Sequence, residues 1–169
     1  MIDFKRKLKN FGPLEILVIS SFFYVLVMLT WTASTRSQVI KRASDIQSNH
    51  KNVVAFVNDE INICSSNSDG VTKWGENCSS VWTSSKIVKY ILDNFKLNNP
   101  YNTKKSLVQT SQDPRIQAEG KAGQSTDKGI IFVSSNNFDS ESGSEWIIGT
   151  CVKSPCVAAG NNELASVYR

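Results

Sequence analysis

A single histidine, His50, stands in a chain of 169 residues, and its isolation removes most chemistry that depends on imidazole. A triad hydrolase needs a histidine beside a nucleophile, and zinc centres without a CxxC usually need more than one. No GxSxG, HExxH or CxxC stretch occurs either. The chain is therefore not read as an enzyme, and no catalytic residue, metal ligand or cofactor is assigned. Glycine and proline are scarce as well: neither occurs from Leu14 to Cys64, so nothing in that stretch would stop a helix. Charge is missing from residues 16–35 altogether. Missing too is the basic stripe that neutralises phosphates. The net charge of +4 divides into +2 on residues 1–15 and +2 on residues 36–169, where fifteen basic side chains face thirteen acidic ones. Nucleic acid is not the default partner.

What is present is an apolar run. The twenty uncharged residues ILVISSFFYVLVMLTWTAST lie between Glu15 and Arg36. At about 1.5 Å per helical residue they span roughly 30 Å, the hydrocarbon thickness of a bilayer. Lys5, Arg6, Lys7 and Lys9 precede the run and predict a cytoplasmic N-terminus with residues 36–169 on the far side; Arg36, Lys41 and Arg42 weaken that asymmetry. A secretory signal peptide cut near Thr32-Ala33-Ser34 is the alternative, but the run exceeds the usual ~7–15 apolar residues. All four cysteines follow the span, and an even number on an oxidising side reads as disulfides. Sequence proximity favours Cys64 with Cys78 and Cys151 with Cys156, although three connectivities are open.

Beyond the span, Val39, Ala43, Ile46, His50, Val53, Val57, Ile61 and Cys64 recur at spacings of three or four, one stripe of a helix. His50 in that stripe reads as structural. SSNSDGVTKWGENCSS then reads as a loop, and a second helix is expected from Ser84 to Leu97, capped by Ser84 or Ser85, with Ile87, Ile91 and Phe95 on one face. Strands are expected at 106–110, 115–118, 129–134, 145–152 and 163–168, arranged as an antiparallel meander. The class is α+β: a long N-terminal helix packed on a small antiparallel sheet. Asp139, Glu141 and Glu145 suit Ca²⁺ by charge, but their spacing matches no EF-hand and a solvated acidic loop is the preferred reading. Trp74, Trp82 and Trp146 read as core aromatics rather than a binding platform.

The N-terminus resembles that of type IV pilins and pseudopilins. The resemblance rests on the basic leader, Phe11-Gly12-Pro13-Leu14-Glu15 and the apolar run, covering about residues 5–35; the layout of the remainder is similar too. It implies a leader of residues 1–10 removed between Asn10 and Phe11, where the family has glycine in place of Asn10. It implies methylation of the new N-terminus, and a Glu15, fifth after the cut, that neutralises the N-terminal amine of a neighbouring subunit. Residues 11–35 would be the membrane-spanning and assembly half of the helix, and residues 36–169 a pilin-like head closed near its end by a Cys151–Cys156 loop. The implied partners are further copies of this chain or related pilins, the prepilin peptidase, the pilus assembly machinery and the membrane. The implied locations are the bacterial inner membrane for the precursor and an extracellular filament after assembly. The rival reading is an uncleaved, single-pass anchored binding module that does not polymerise.

Overall fold

The structure, a computed structural model, describes residues 12–119, 128–136 and 145–169. Its elements in chain order are α1 (Pro13–Ser66), α2 (Ser84–Asn94), β1 (Val108–Thr110), α3 (Pro114–Glu119), β2 (Ile131–Asn136), β3 (Glu145–Cys151) and β4 (Asn162–Tyr168). The chain divides into two compact units between Ile40 and Lys41. The class is α+β, with a long N-terminal helix whose later part packs on a four-stranded sheet ordered β1-β2-β3-β4.

The stripe read from the sequence becomes buried only from Ile46 onward: Ile46, His50, Val53, Val57, Ile61 and Cys64 are buried, whereas Val39 is 47 % exposed. These helical residues share one core with Val133, Trp146, Ile148 and Val167 of the sheet. Helix α2 adds Ile87, Val88 and Ile91 to it. That helix ends at Asn94, three residues before the expected Leu97, because Phe95 turns into extended backbone and sets its ring edge-on to Phe56 at 5.2 Å. Its N-cap is Thr83, not Ser84 or Ser85, and the Thr83 hydroxyl donates to Glu76 Oε1 at 2.9 Å instead of capping the helix.

Strands β2, β3 and β4 form the expected antiparallel meander, but β1 runs parallel to β2. The sheet is mixed, and the expected strand at 115–118 is a helix, α3. Asp113 decides this locally. Its Oδ1 accepts the amides of Arg115 at 3.0 Å and Ile116 at 3.4 Å, the bonds of an N-cap, and Pro114 follows at the first helical position. Helix α3 thus lies in the connection from β1 to β2, where a parallel pair requires a crossover. Helix α3 covers the sheet face opposite α1 and comes close to that face at Gly149. A Cβ there would lie 2.6 Å from the Pro114 carbonyl oxygen and 3.0 Å from Ala118 Cβ. Gly129 is constrained twice over, by φ of +77° and by Asn99 Oδ1, which would lie 2.7 Å from an added Cβ.

Candidate functional site

Helix α1 begins with a local capping arrangement. Pro13 occupies the first helical position, where its missing N–H costs nothing. Glu15 sits two residues further and reaches back, so that the Gly12 N–H donates to Glu15 Oε2 at 3.0 Å. This is the carboxylate half of a capping box; Gly12 has no hydroxyl to return the second bond. A negative charge in the first turn also complements the helix dipole. Glu15 thus has a partner within its own chain. Asn10 and Phe11 lie outside the described residues.

The following apolar residues are exposed throughout: Leu14 is 78 %, Phe22 63 %, Phe23 62 % and Trp31 69 % accessible. Among the described residues, α1 is the one helix long and apolar enough to cross a membrane, and no residue of that window is buried. Five of its hydroxyls bond back to the helix. Ser20 and Ser21 donate to carbonyls three residues back at 2.9 and 2.8 Å, and Thr30, Thr32 and Thr35 bond carbonyls three and four back at 2.9–3.1 Å. Such back-bonding suits polar side chains to surroundings that offer no water.

At its other end α1 is fastened to the head. Cys64 is joined to Cys78, with Cα atoms 5.1 Å apart, and Cys151 to Cys156, with Cα atoms 5.2 Å apart. Two buried carboxylates that the sequence reading passed over organise the loop between α1 and α2. Glu60, 1 % exposed, accepts the Lys73 amide at 3.0 Å and pairs with the Lys73 ammonium at 2.7 Å. The hydrogen bond to Glu60 holds the Lys73 ammonium above its ordinary pKa. Glu76 accepts Trp74 Nε1–H at 2.9 Å, the Thr83 amide at 3.1 Å and the Thr83 hydroxyl at 2.9 Å, and it pairs with Lys86 at 3.2 Å. Burial alone would raise the Glu76 pKa, but these donors together hold it below the usual carboxylate range. Glu60 had a sequence signal, since it falls three residues after Val57 on the buried stripe. Glu76, inside a polar loop, had none.

His50 is structural. It is 4 % exposed and its Nε2–H donates to the Ile148 carbonyl at 3.1 Å. Burial lowers its pKa, against the raising effects of that bond and of Glu163. The tryptophans pack inward, Trp74 on Trp82 at 5.0 Å and Trp82 near Trp146 at 6.3 Å, so they form no exposed platform. Glu145 is engaged by Arg115 at 3.0 Å and by the Tyr168 hydroxyl at 3.2 Å, while Asp139 and Glu141 lie outside the described residues. Among the described residues no cluster of three His, Cys, Asp or Glu side chains is placed to hold a metal ion. No protein-family model, curated protein or solved structure matches this chain.

Proposed function

We propose that this protein is a structural subunit of a type IV pilus-like filament, held in a membrane by the first part of α1 and packed into the filament through the same segment. One observation carries the reading. The apolar stretch of α1 has no burial at all within the chain, while the later part of the same helix is sunk in the head. Apolar surface of that extent is stable only against lipid or against like helices. In this reading the leader is removed before Phe11, and Glu15 neutralises the N-terminal amine of a neighbour within the helix bundle and so sets the axial register. Intact mass and N-terminal sequencing of the native protein test the processing step: the expected product lacks residues 1–10 and carries one added methyl group.

The bond from the Gly12 N–H to Glu15 favours a second reading, an uncleaved anchored head that binds a partner without polymerising. Asn10 at the expected cut points the same way. Glu15→Ala separates the two. If Glu15 partners a buried amine, its removal costs about 3–5 kcal/mol at each subunit contact, and the ratio of sheared extracellular to membrane-bound protein collapses. If Glu15 only completes the helix start, the loss is about 0.3–1 kcal/mol and that ratio is unchanged. An unchanged ratio in cells whose wild-type protein forms filaments removes the assembly role.

A further inference from the structure

Folding gathers basic side chains that the sequence keeps apart, and Tyr101 is the point they surround. Its hydroxyl donates to the Val152 carbonyl at 2.6 Å, next to Lys153, and the Lys128 ammonium lies 5.7 Å from its ring centre. Burial raises the Tyr101 pKa and the charge of Arg42 acts in the opposite sense, which sets Arg42 near the same phenol. Lys104 belongs to the turn that follows, where its amide donates to Asn102 Oδ1 at 3.1 Å. Lys41, Arg42, Lys104, Lys128 and Lys153 are all exposed and all belong to the compact unit Lys41–Arg169. Among the described residues none of the five has a carboxylate within ion-pair distance. The adjoining turn of α1 contributes one acid, Asp45; Lys121 and Asp127 lie outside the described residues. The cluster stands where the chain enters the head, since Tyr101 and Ile46 both close on Gly129. Lys41 follows Thr35, the last residue of the uncharged run, by six residues, a tether of roughly 20 Å even when fully extended.

We propose that this basic end of the head is a docking surface for anionic lipid headgroups, which seats the head on the membrane that residues 16–35 cross. The proposal rests on the membrane reading of that run and holds for the filament subunit before assembly and for the uncleaved anchor alike. Charge complementarity and the tether select the occupant together. Exposed cations attract an anionic bilayer surface over a Debye length of about 8 Å, and the short chain from Thr35 to Lys41 keeps these cations beside that surface. A nucleic acid would meet the same charges without the advantage of the tether. The aromatic at the centre also suits a base poorly, because Tyr101 is half-buried, with its hydroxyl engaged by Val152 and the Lys128 ammonium over its ring. Lipid contact further gives a use to Lys41 and Arg42, which the rule that concentrates cations on the cytoplasmic side would not place after the span.

The test places the full chain in vesicles of phosphatidylcholine alone or with about 30 % phosphatidylglycerol, each containing some lipid whose headgroup carries a fluorescence-quenching spin label. The four native cysteines are paired, so one introduced thiol takes the fluorophore. Thr103→Cys reports beside the cluster, and Ser85→Cys, at the start of α2, reports from the region tied to the Ser66 end of α1; both positions are exposed. With phosphatidylglycerol present, quenching at position 103 is expected to rise about threefold and to return to the phosphatidylcholine level in about 0.5 M salt, with position 85 unchanged. The triple variant Lys104→Gln, Lys128→Gln, Lys153→Gln, first checked for wild-type thermal unfolding, is expected to lose most of that rise. Equal quenching at position 103 in the two lipids overturns the docking surface and leaves the span intact, as does a rise undiminished in the triple variant. An equal rise at position 85 overturns it as well, because the head is then attracted without orientation. Abolition of the rise by a short DNA duplex at a small fraction of the lipid phosphate assigns the cluster to nucleic acid instead. A full chain that fails to float with phosphatidylcholine vesicles refutes the membrane reading itself, and the proposal falls with it.

Discussion

Replacing Glu76 by alanine should unfold the region that ties α1 to α2. The carboxylate serves four donors: Trp74 Nε1–H, the Thr83 amide, the Thr83 hydroxyl and the Lys86 ammonium. The Lys86 ammonium is 58 % exposed and can return to water, so its pairing adds little. A buried donor stripped of its partner costs about 1–3 kcal/mol, and the hydroxyl can rotate to a new partner. The amide and the indole cannot turn away, but Thr83 is exposed and its amide can be hydrated in part, which sets the expected loss for Glu76→Ala at about 2–4 kcal/mol. Glu76→Gln keeps the shape and one carbonyl oxygen but puts an NH₂ toward donors, and should cost about half as much. The pH dependence has a definite sign. The folded state holds the Glu76 pKa below its unfolded value of about 4.3, so the stabilisation is complete above that value and is lost as pH falls through the folded one. Denaturant unfolding of the full chain in detergent, followed by tryptophan fluorescence, measures both effects, because Trp74 and Trp82 lie beside the site. A loss under about 1 kcal/mol for Glu76→Ala, or an acid limb unchanged in Glu76→Gln, refutes the assignment of this carboxylate as the organiser of the loop.

His50 supplies a separate window. Its folded pKa lies below the unfolded value of about 6.5, so stability should fall as pH drops from there toward the folded value, and His50→Gln should flatten that slope in the same unfolding assay. Gly149→Ala should cost about 1–3 kcal/mol by driving α3 off the sheet, read as a fall in the denaturant midpoint with unchanged slope. The Cys64→Ser, Cys78→Ser double variant should lose about 3 kcal/mol from opening a loop of sequence separation 14, while non-reducing peptide mapping of the wild type should yield Cys64–Cys78 and Cys151–Cys156 peptides and no crossed pair.

Helix α1 could be read in advance because no breaker occurs from Leu14 to Cys64 and because the three-to-four spacing of the apolar stripe from Val39 to Cys64 carries the helical period beyond the apolar run. Strands β2 and β3 were readable from runs rich in β-branched and aromatic residues between turn clusters, and β4 from its alternation of apolar and polar residues ending in Val167 and Tyr168. Helix α3 was not. Arg115-Ile116-Gln117-Ala118 is too short for a helical period to show, and its alternation mimics a strand. The pair Asp113-Pro114 was the signal that outweighed it, a cap followed by a proline at the first helical position. Missing that helix also hides the parallel β1–β2 pairing, since a meander and a crossover differ only in what fills the connection. At the site, Gly12-Pro13-Leu14-Glu15 already spells a helix start, whereas the bonds of Glu60 and Glu76 depend on loop residues brought back by folding.

The distribution of fastenings in the head has a logic of its own. A helix that anchors a domain, or packs it among neighbours, specifies the placement of that domain only as well as its exit from the helix is fixed. The end of a helix is normally its weakest part, because its last carbonyls lack partners and it frays. Here the last turns of α1 are held by a covalent link at Cys64, by the Glu60–Lys73 pair one turn earlier, and by Phe56 in contact with Trp74 at 5.8 Å. The loop they reach is fixed in turn to α2 through Glu76 and to the residue after β4 through Arg169, whose guanidinium lies 4.1 Å from the Trp82 ring centre and donates to the Ser80 carbonyl at 2.7 Å. Fraying of α1 would therefore have to break a disulfide-closed loop, expose a buried carboxylate and open an aromatic cluster together. Such coupling makes residues 56–83, α2 and the end of β4 one cooperative unit, so amides of the last α1 turn should exchange with solvent no faster than those of β3.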